Sequence, residues 1–288
     1  MRLDKALVWL VPGLGRRSVR RFLQDREVRV DGQHRPVGFR VTAGQCIVFR
    51  NPAARDECES LRSDLLHKIQ VAAQNEDFAA LIKPAGVHSE SLGHSCVLSV
   101  ESILPILFPE AVPVLLNRLD QPVSGLVLAA LHEKAAREYA GLQDQGRVRK
   151  GYLAVVRGDL TGERLVRAAL DTAKRRKVRV VGDADPDALR WTRVFPIGRD
   201  VATDATLVRV EIRKGRRHQI RAHLASIGHP VLYDPVYGAG PDRGWIALHH
   251  ERVELPGFEV CAKPDWRELV GENLPCMSAS VGPVRGEV

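Results

Sequence analysis

Residues 117–125 read Asn-Arg-Leu-Asp-Gln-Pro-Val-Ser-Gly, and Asp120 is the strongest candidate in the chain for doing chemistry. It lies between two apolar runs, Val112–Leu116 and Leu126–Leu131. A carboxylate in a tight Arg-x-Asp-x-Pro-x-Ser-Gly turn with such flanks is hard to explain as solvated surface. Chains carry reacting groups on loops held by rigid neighbours. Downstream comes Gly215-Arg216-Arg217-His218-Gln219-Ile220-Arg221-Ala222-His223. A carboxylate loop and an arginine-rich segment together suggest an acid kept ionised by a guanidinium and acting on an anionic polymer. Aspartate also favours plain turns, so the loop by itself leaves both readings open.

The elements that must position these residues can be read from periodicity. Val112–Leu116 and Gly125–Leu131 read as strands flanking the Asp120 loop. Ile69–Ala73 and Phe78–Ile82 read as a strand pair, followed by a Lys83-Pro84-Ala85-Gly86 turn. Ser99–Leu107 and Glu133–Gln145 read as helices, and Arg149–Val156 and Thr206–Ile212 as strands. Arg216–Ile227 suits a helix packed through Ile220, Leu224 and Ile227. Lys174-Arg175-Arg176-Lys177-Val178-Arg179 reads as a basic loop or hairpin tip. Mostly local strand connections favour an antiparallel sheet, so the fold class expected is α+β.

Composition narrows the class. With 288 residues, 44% hydrophobic and 27% charged, the chain suits a soluble globular protein of two domains. No apolar run approaches the ~18 residues of a membrane span. Met1-Arg2-Leu3-Asp4-Lys5 lacks a signal peptide's apolar stretch, so a cytoplasmic location and no membrane partner are expected. The cysteines, Cys46, Cys58, Cys96, Cys261 and Cys276, are odd in number and widely spaced. That argues against a disulfide framework and a zinc knuckle. His218, His223 and His229 do not share one helical face, so no metal site is expected. No P-loop or Rossmann glycine turn is present, and no cofactor is expected.

The charge of +8 is localised. Residues 1–50 hold eleven basic residues (Arg2, Lys5, Arg16, Arg17, Arg20, Arg21, Arg26, Arg29, Arg35, Arg40, Arg50) against four acids, a local excess of +7. Leu3–Val11 reads as a helix, Pro12-Gly13-Leu14-Gly15 breaks it, and Arg17–Glu27 reads as a second helix presenting Arg16, Arg17, Arg20 and Arg21. Val28–Gly32 is a strand entering an Asp-Gly turn, and Val41–Phe49 ends in another strand. This pattern resembles the S-four RNA-binding fold, on Arg2-Leu3-Asp4-Lys5-Ala6-Leu7, Val28-x-Val30-Asp31-Gly32 and Val41-x-x-Gly44-x-x-Ile47. The expected division is an RNA-binding domain at 1–50, a linker at 51–66, a catalytic domain at 67–272 and a mobile tail at 273–288.

The body resembles the RluA-type pseudouridine synthases. The match rests on Lys83-Pro84-Ala85-Gly86, Arg118-Leu119-Asp120-x-x-x-Ser124-Gly125, Lys150-Gly151-Tyr152-Leu153-Ala154, Gly215-Arg216-x-His218-Gln219-Ile220-Arg221-x-His223-Leu224 and Asp234-Pro235-Val236-Tyr237-Gly238. The resemblance implies a mixed, mostly antiparallel catalytic domain preceded by the small α+β RNA-binding domain. It implies an isomerase that converts uridine to pseudouridine in structured RNA: ribosomal RNA first, transfer RNA as the other substrate. A monomer is expected.

In that family pattern Asp120 is the catalytic aspartate, nucleophile or base. Arg221 is the guanidinium that holds it, able to do so through two parallel hydrogen bonds. Tyr152 is the active-site tyrosine, whose ring can stack on the extruded uracil. Arg118, by position, is the candidate for filling the gap the base leaves. Arg16, Arg17, Arg20, Arg21, Lys174, Arg175, Arg176, Arg216 and Arg217 are expected to meet phosphates. The pattern departs from the family at Asn117, Val123 and Tyr233, where His, Thr and Gly are usual. The competing reading is a non-catalytic RNA-binding or ribosome-assembly factor on the same scaffold.

Overall fold

A computed structural model describes residues 1–11, 19, 27–36, 38–50, 63–91, 99–173, 177–238 and 242–266. The chain divides into two compact units, Met1–Asp64 and Leu65–Val288.

In the first unit, α1 (Leu3–Leu10) buries Leu3, Ala6 and Leu7, spaced to share one helical face. Strands β1 (Glu27–Val30) and β2 (Gln33–His34) form a hairpin. Its two-residue turn needs positive φ at both positions, supplied by Asp31 (49°) and Gly32 (77°). Strand β3 (Ile47–Arg50) pairs antiparallel with the other edge of β1. Leu3, Ala6, Leu7, Val19, Val28, Val30 and Val41 make the core. The helix expected over Arg17–Glu27 does not reach its last residue: Glu27 is in β1, paired with Arg50. Arg16, Arg17, Arg20 and Arg21 lie outside the described residues, as do Lys174, Arg175, Arg176, residues 51–62 and residues 267–288.

The second unit is built on one sheet. Its strands are β4 (Gln70–Gln74), β5 (Phe78–Lys83), β6 (Val114–Leu115), β7 (Ser124–Ala130), β8 (Arg149–Arg157), β9 (Arg164–Val166), β12 (Thr192–Asp200), β13 (Ala205–Ile212), β14 (Leu248–Leu255) and β15 (Phe258–Cys261). The order is β4-β5-β7-β14-β8-β13-β12-β9, with β6 on β7 and β15 on β14. Every pairing is antiparallel except β7 with β14, so the expected α+β class with a mostly antiparallel sheet holds. A separate hairpin, β10 (Ala168–Asp171) with β11 (Arg179–Ala184), flanks residues 172–178.

Leu126–Leu131 is continuously apolar because both faces of β7 are covered. Val127 and Ala129 face one core with Val100, Ile103 and Leu104 of α2 (Val100–Leu107). Leu126, Leu128 and Ala130 face another with Ala135, Tyr139 and Leu142 of α3 (Glu133–Asp144). The strand expected over Val112–Leu116 shrinks to Val114–Leu115; Pro113 offers no N–H to a ladder. Helix α4 (Gln219–Ser226), the last among the described residues, starts three residues later than expected. His218 sits in the left-handed region at φ 55°, and the Gln219 side chain accepts the Arg216 N–H.

Candidate active site

The Asp120 loop is clamped from every side. Asn117 Oδ1 accepts the Leu128 N–H at 2.6 Å and its amide donates to Leu126 O, which locks the entry to β7. Ser89 exchanges two hydrogen bonds with the Leu119 backbone. Lys83 is fully buried and its ammonium donates to the carbonyls of Pro84, Val87 and Gln121. Burial pushes the Lys83 amine down to about 7, against the pull of Asp120.

Ser124 and Gly125 serve the same fixation. His249 Nε2 lies 2.9 Å from Ala262 O and so donates, leaving Nδ1 to accept the Ser124 hydroxyl at 2.8 Å. Gly125 has φ 116°, and any Cβ there would lie 2.4 Å from His250 O. Only glycine lets β7 pass this close to β14.

Arg221 projects from α4 to the loop. Its Nη1 donates to Asp120 Oδ2 at 2.7 Å. Its Nε and Nη2 grip a second carboxylate, Asp234, at 2.7 and 2.8 Å. The parallel fork expected for Asp120 is therefore spent on Asp234, and Asp120 receives a single bond. Asp234 Oδ1 also accepts the N–H groups of Val236 and Tyr237. The Asp234 side chain is 0% exposed, Arg221 3% and Asp120 21%, so the clamp is dry while the Asp120 carboxylate meets water. Burial alone would discharge both partners. Their mutual bonds outweigh it, holding Asp234 below the usual carboxylate range and Arg221 above the usual guanidinium one.

Tyr152, on β8, stacks on His250 of β14 with ring centroids 4.3 Å apart and planes 14° from parallel. One aromatic face is thus already used. Burial, then Tyr139 and Asp120, push the phenol up, so it stays protonated at neutral pH.

Asp120, Tyr152, Arg118, Arg216, Arg217, His218 and Arg221 line one cleft of about 720 Å³, within the range of small-molecule sites. Arg118 is exposed at the rim and pairs with Glu90 at 2.7 Å. Arg216 is committed inward, to Leu170 O at 3.1 Å and to the Asp185 carboxylate at 3.5 Å. His223 is held by Thr192 Oγ1 and Ala168 O, and His229 by Arg157 O. Among the described residues no group of three His, Cys, Asp or Glu side chains is placed to hold a metal.

A family model described as RNA pseudouridylate synthase matches residues 77–226, more than half of the chain. The chain belongs to that family. Ribosomal large subunit pseudouridine synthase D of Nitrosomonas europaea is 30% identical over 271 residues, covering 88% of this chain and 77% of the relative. Ribosomal large subunit pseudouridine synthase C of Escherichia coli is 31% identical over 252 residues, covering 82% and 76%. The resemblance to RluA-type synthases is therefore borne out. Among solved structures, human RNA pseudouridylate synthase domain containing 1 superposes with a TM-score of 0.56 at 25% identity, covering 69% of this chain and 84% of that one.

Two residues of this synthase's site escaped sequence reasoning. Asp234 stood in a visible Asp-Pro-Val-Tyr-Gly motif, but nothing in the sequence paired it with Arg221. His250 lies in Leu248-His249-His250-Glu251, where no alternation marks a central strand. Of the departures, Asn117 is a loop staple and Val123 is buried at 2% exposure. Tyr233 adopts φ 63° and packs on Trp245 at 5.1 Å, with the Arg243 guanidinium 4.1 Å over its ring. A glycine would meet that backbone geometry without strain; this chain gains ring contacts in its place.

Proposed function

We propose that this synthase isomerises a uridine in ribosomal RNA, with Asp120 as the reacting carboxylate. The observation that carries the assignment is the 2.7 Å bond from Arg221 to Asp120, made by a guanidinium itself fixed by buried Asp234. Pseudouridine formation breaks the bond between uracil N1 and C1′, turns the base and joins C5 to C1′. It needs an ionised, oriented carboxylate beside the sugar and base, and pre-organisation of that group is where rate enhancement arises. Arg221 supplies charge and direction, while the clamped loop supplies position. Tyr152, backed by His250, offers its remaining surface to the extruded uracil.

Extruding the base costs a few kcal/mol. Arg118, exposed and lining the cleft, would occupy the vacancy once Glu90 releases it, an exposed pair of small worth. Arg217, which lines the cleft, would meet phosphates there, and Lys174, Arg175 and Arg176 add basic charge to the chain for the same purpose. Arg216 is given a structural task by its Asp185 and Leu170 contacts. The first unit acts as an S-four-like docking module. Its helix, its three-stranded sheet and the excess of +7 within residues 1–50 support that reading. The enzyme works as a monomer in the cytoplasm, where ribosomal RNA is matured.

The test is release of tritium from C5-labelled uridine in ribosomal and transfer RNA. Asp120→Ala and Asp120→Asn should abolish release while RNA binding persists. Wild-type turnover in either variant would refute the assignment of Asp120. Release from transfer RNA alone would refute the ribosomal substrate, and no release from any RNA by the wild type would favour the binding-factor reading.

A further inference from the structure

One titratable group beside Asp120 has no part in the chemistry above. His218 stands immediately before α4, and its side chain caps nothing on that helix. Its backbone takes φ 55°, a conformation that a non-glycine residue adopts at an energetic cost. The result is a ring aimed into the cleft, 15% exposed, with Nε2 3.8 Å from Asp120 Oδ2.

The tautomer is assigned from the contacts of Tyr237. The Tyr237 oxygen accepts the Val178 N–H at 2.9 Å, and its proton goes to Val178 O at 3.1 Å. A hydroxyl has one proton and two acceptor sites. The remaining site faces His218 Nδ1 at 3.2 Å, so Nδ1 is the donor and carries the ring's hydrogen. Nε2 is then a bare lone pair facing the Asp120 carboxylate.

Around this ring stand Asp120, Asp234, Arg217 and Arg221, with Tyr237 edge-on at 5.7 Å and Lys177 5.1 Å over the Tyr237 ring. Burial first, then Arg221 and Arg217, lower the His218 imidazole below its ordinary value, against the two aspartates. It is neutral at pH 7.

We propose that His218 is a positioning residue that accepts the proton Asp120 collects during the isomerisation. This rests on Asp120 being the reacting carboxylate. The reaction removes one proton from carbon, at C5, and adds one at N1, with no net change. When Asp120 Oδ2 gains a proton, that O–H points across the gap to Nε2. The O–H bond breaks as Nε2–H forms, and the carboxylate is restored. The imidazolium then gives the proton to uracil N1 or to water, which closes the balance. A protonated His218 cannot take this part, so turnover falls at acid pH.

The test uses the full chain. His218→Asn suits a left-handed backbone, which asparagine tolerates, and removes the titrating ring. It should lower kcat about 10²-fold, the low end for a lost proton-transfer group, with KM for RNA within about threefold. Added imidazole should restore turnover, and the acid limb set by His218 should disappear from the kcat profile. A kcat near wild type, or a loss that imidazole does not rescue, overturns the proposal. Nitrogen-15 NMR of the wild-type imidazoles gives a reading that needs no variant: Nδ1 protonated and Nε2 bare at pH 7 is expected, and the opposite tautomer overturns it. Asp120→Asn is assayed alongside. If it is inactive while His218→Asn is fully active, the relay alone fails; if it is active, the underlying site assignment fails as well.

Discussion

Asp234→Asn and Asp120→Asn alter the same guanidinium's two partners, and the structure separates their effects. Asp234 is 0% exposed and bonded twice by Arg221. An asparagine amide would turn an N–H toward the Arg221 Nε donor and leave Arg221, 3% exposed, with one carboxylate. Removing one partner of a buried ion pair costs about 3–5 kcal/mol. For a unit of this size that is a fall in Tm of about 6–20 °C. Asp120 is 21% exposed and accepts a single bond, so water replaces what is lost. Its removal should cost no more than about 1.5 kcal/mol, the low end for a hydrogen bond to a charged group, or under about 6 °C. Activity should run the other way. Asp120→Asn should release no tritium, while Asp234→Asn should keep a remnant, lowered about 10²-fold by misplacement of the carboxylate. Thermal melting and C5-tritium release on the two variants check both halves. A larger fall in Tm for Asp120→Asn than for Asp234→Asn would refute the reasoning.

Gly125→Ala drives a Cβ to 2.4 Å from His250 O and 2.5 Å from His250 N, so β7 and β14 must part. A loss of at least about 4 kcal/mol is expected, in the extreme tail of single substitutions; a soluble variant melting like wild type would contradict it. His249 and His250 have folded values lowered by burial from 6.5 to about 4 and about 3. The unfolded chain therefore binds both protons as pH falls through 6.5, and the folded protein does not. Stability should drop from pH 6.5 downward, by about 2 kcal/mol per histidine at pH 5, levelling only below about 4 and about 3. Urea midpoints at pH 7 and 5 check it, and His250→Phe, which keeps a flat ring beneath Tyr152, should remove about half of the drop.

Local signals carried much of the architecture. The Asp31-Gly32 hairpin, the helix over Ser99–Leu107 and the apolar β7 each announce themselves through turn chemistry, periodicity or a doubly buried run. The Asp120 loop was legible for the same reason, as a polar interruption between apolar flanks. Long-range pairing was not legible. That Arg221 divides itself between two carboxylates depends on where the turn after α4 returns, 13 residues on for Asp234 and 101 back for Asp120. Strand β14 hid because its sequence, Leu-His-His-Glu-Arg-Val-Glu-Leu, breaks alternation at the bulge between His250 and Arg252. Strand β12 hid because Pro196 stands inside it, tolerated where its register with β13 shifts.

The position of β14 has a consequence for how the enzyme comes into being. It lies between β7, which follows the Asp120 loop, and β8, which bears Tyr152, yet it is made some hundred residues after either. While a nascent chain emerges, the edges of β7 and β8 meant for each other's neighbour stay open. Loop closure over such a span is slow. Only when residues 248–255 slot into the gap do the carboxylate and the aromatic ring come to share one wall. A polypeptide stalled short of that point would carry Asp120, Tyr152, Arg221 and Asp234 but lack both His250 and the strand that sets Tyr152 beside the Asp120 loop.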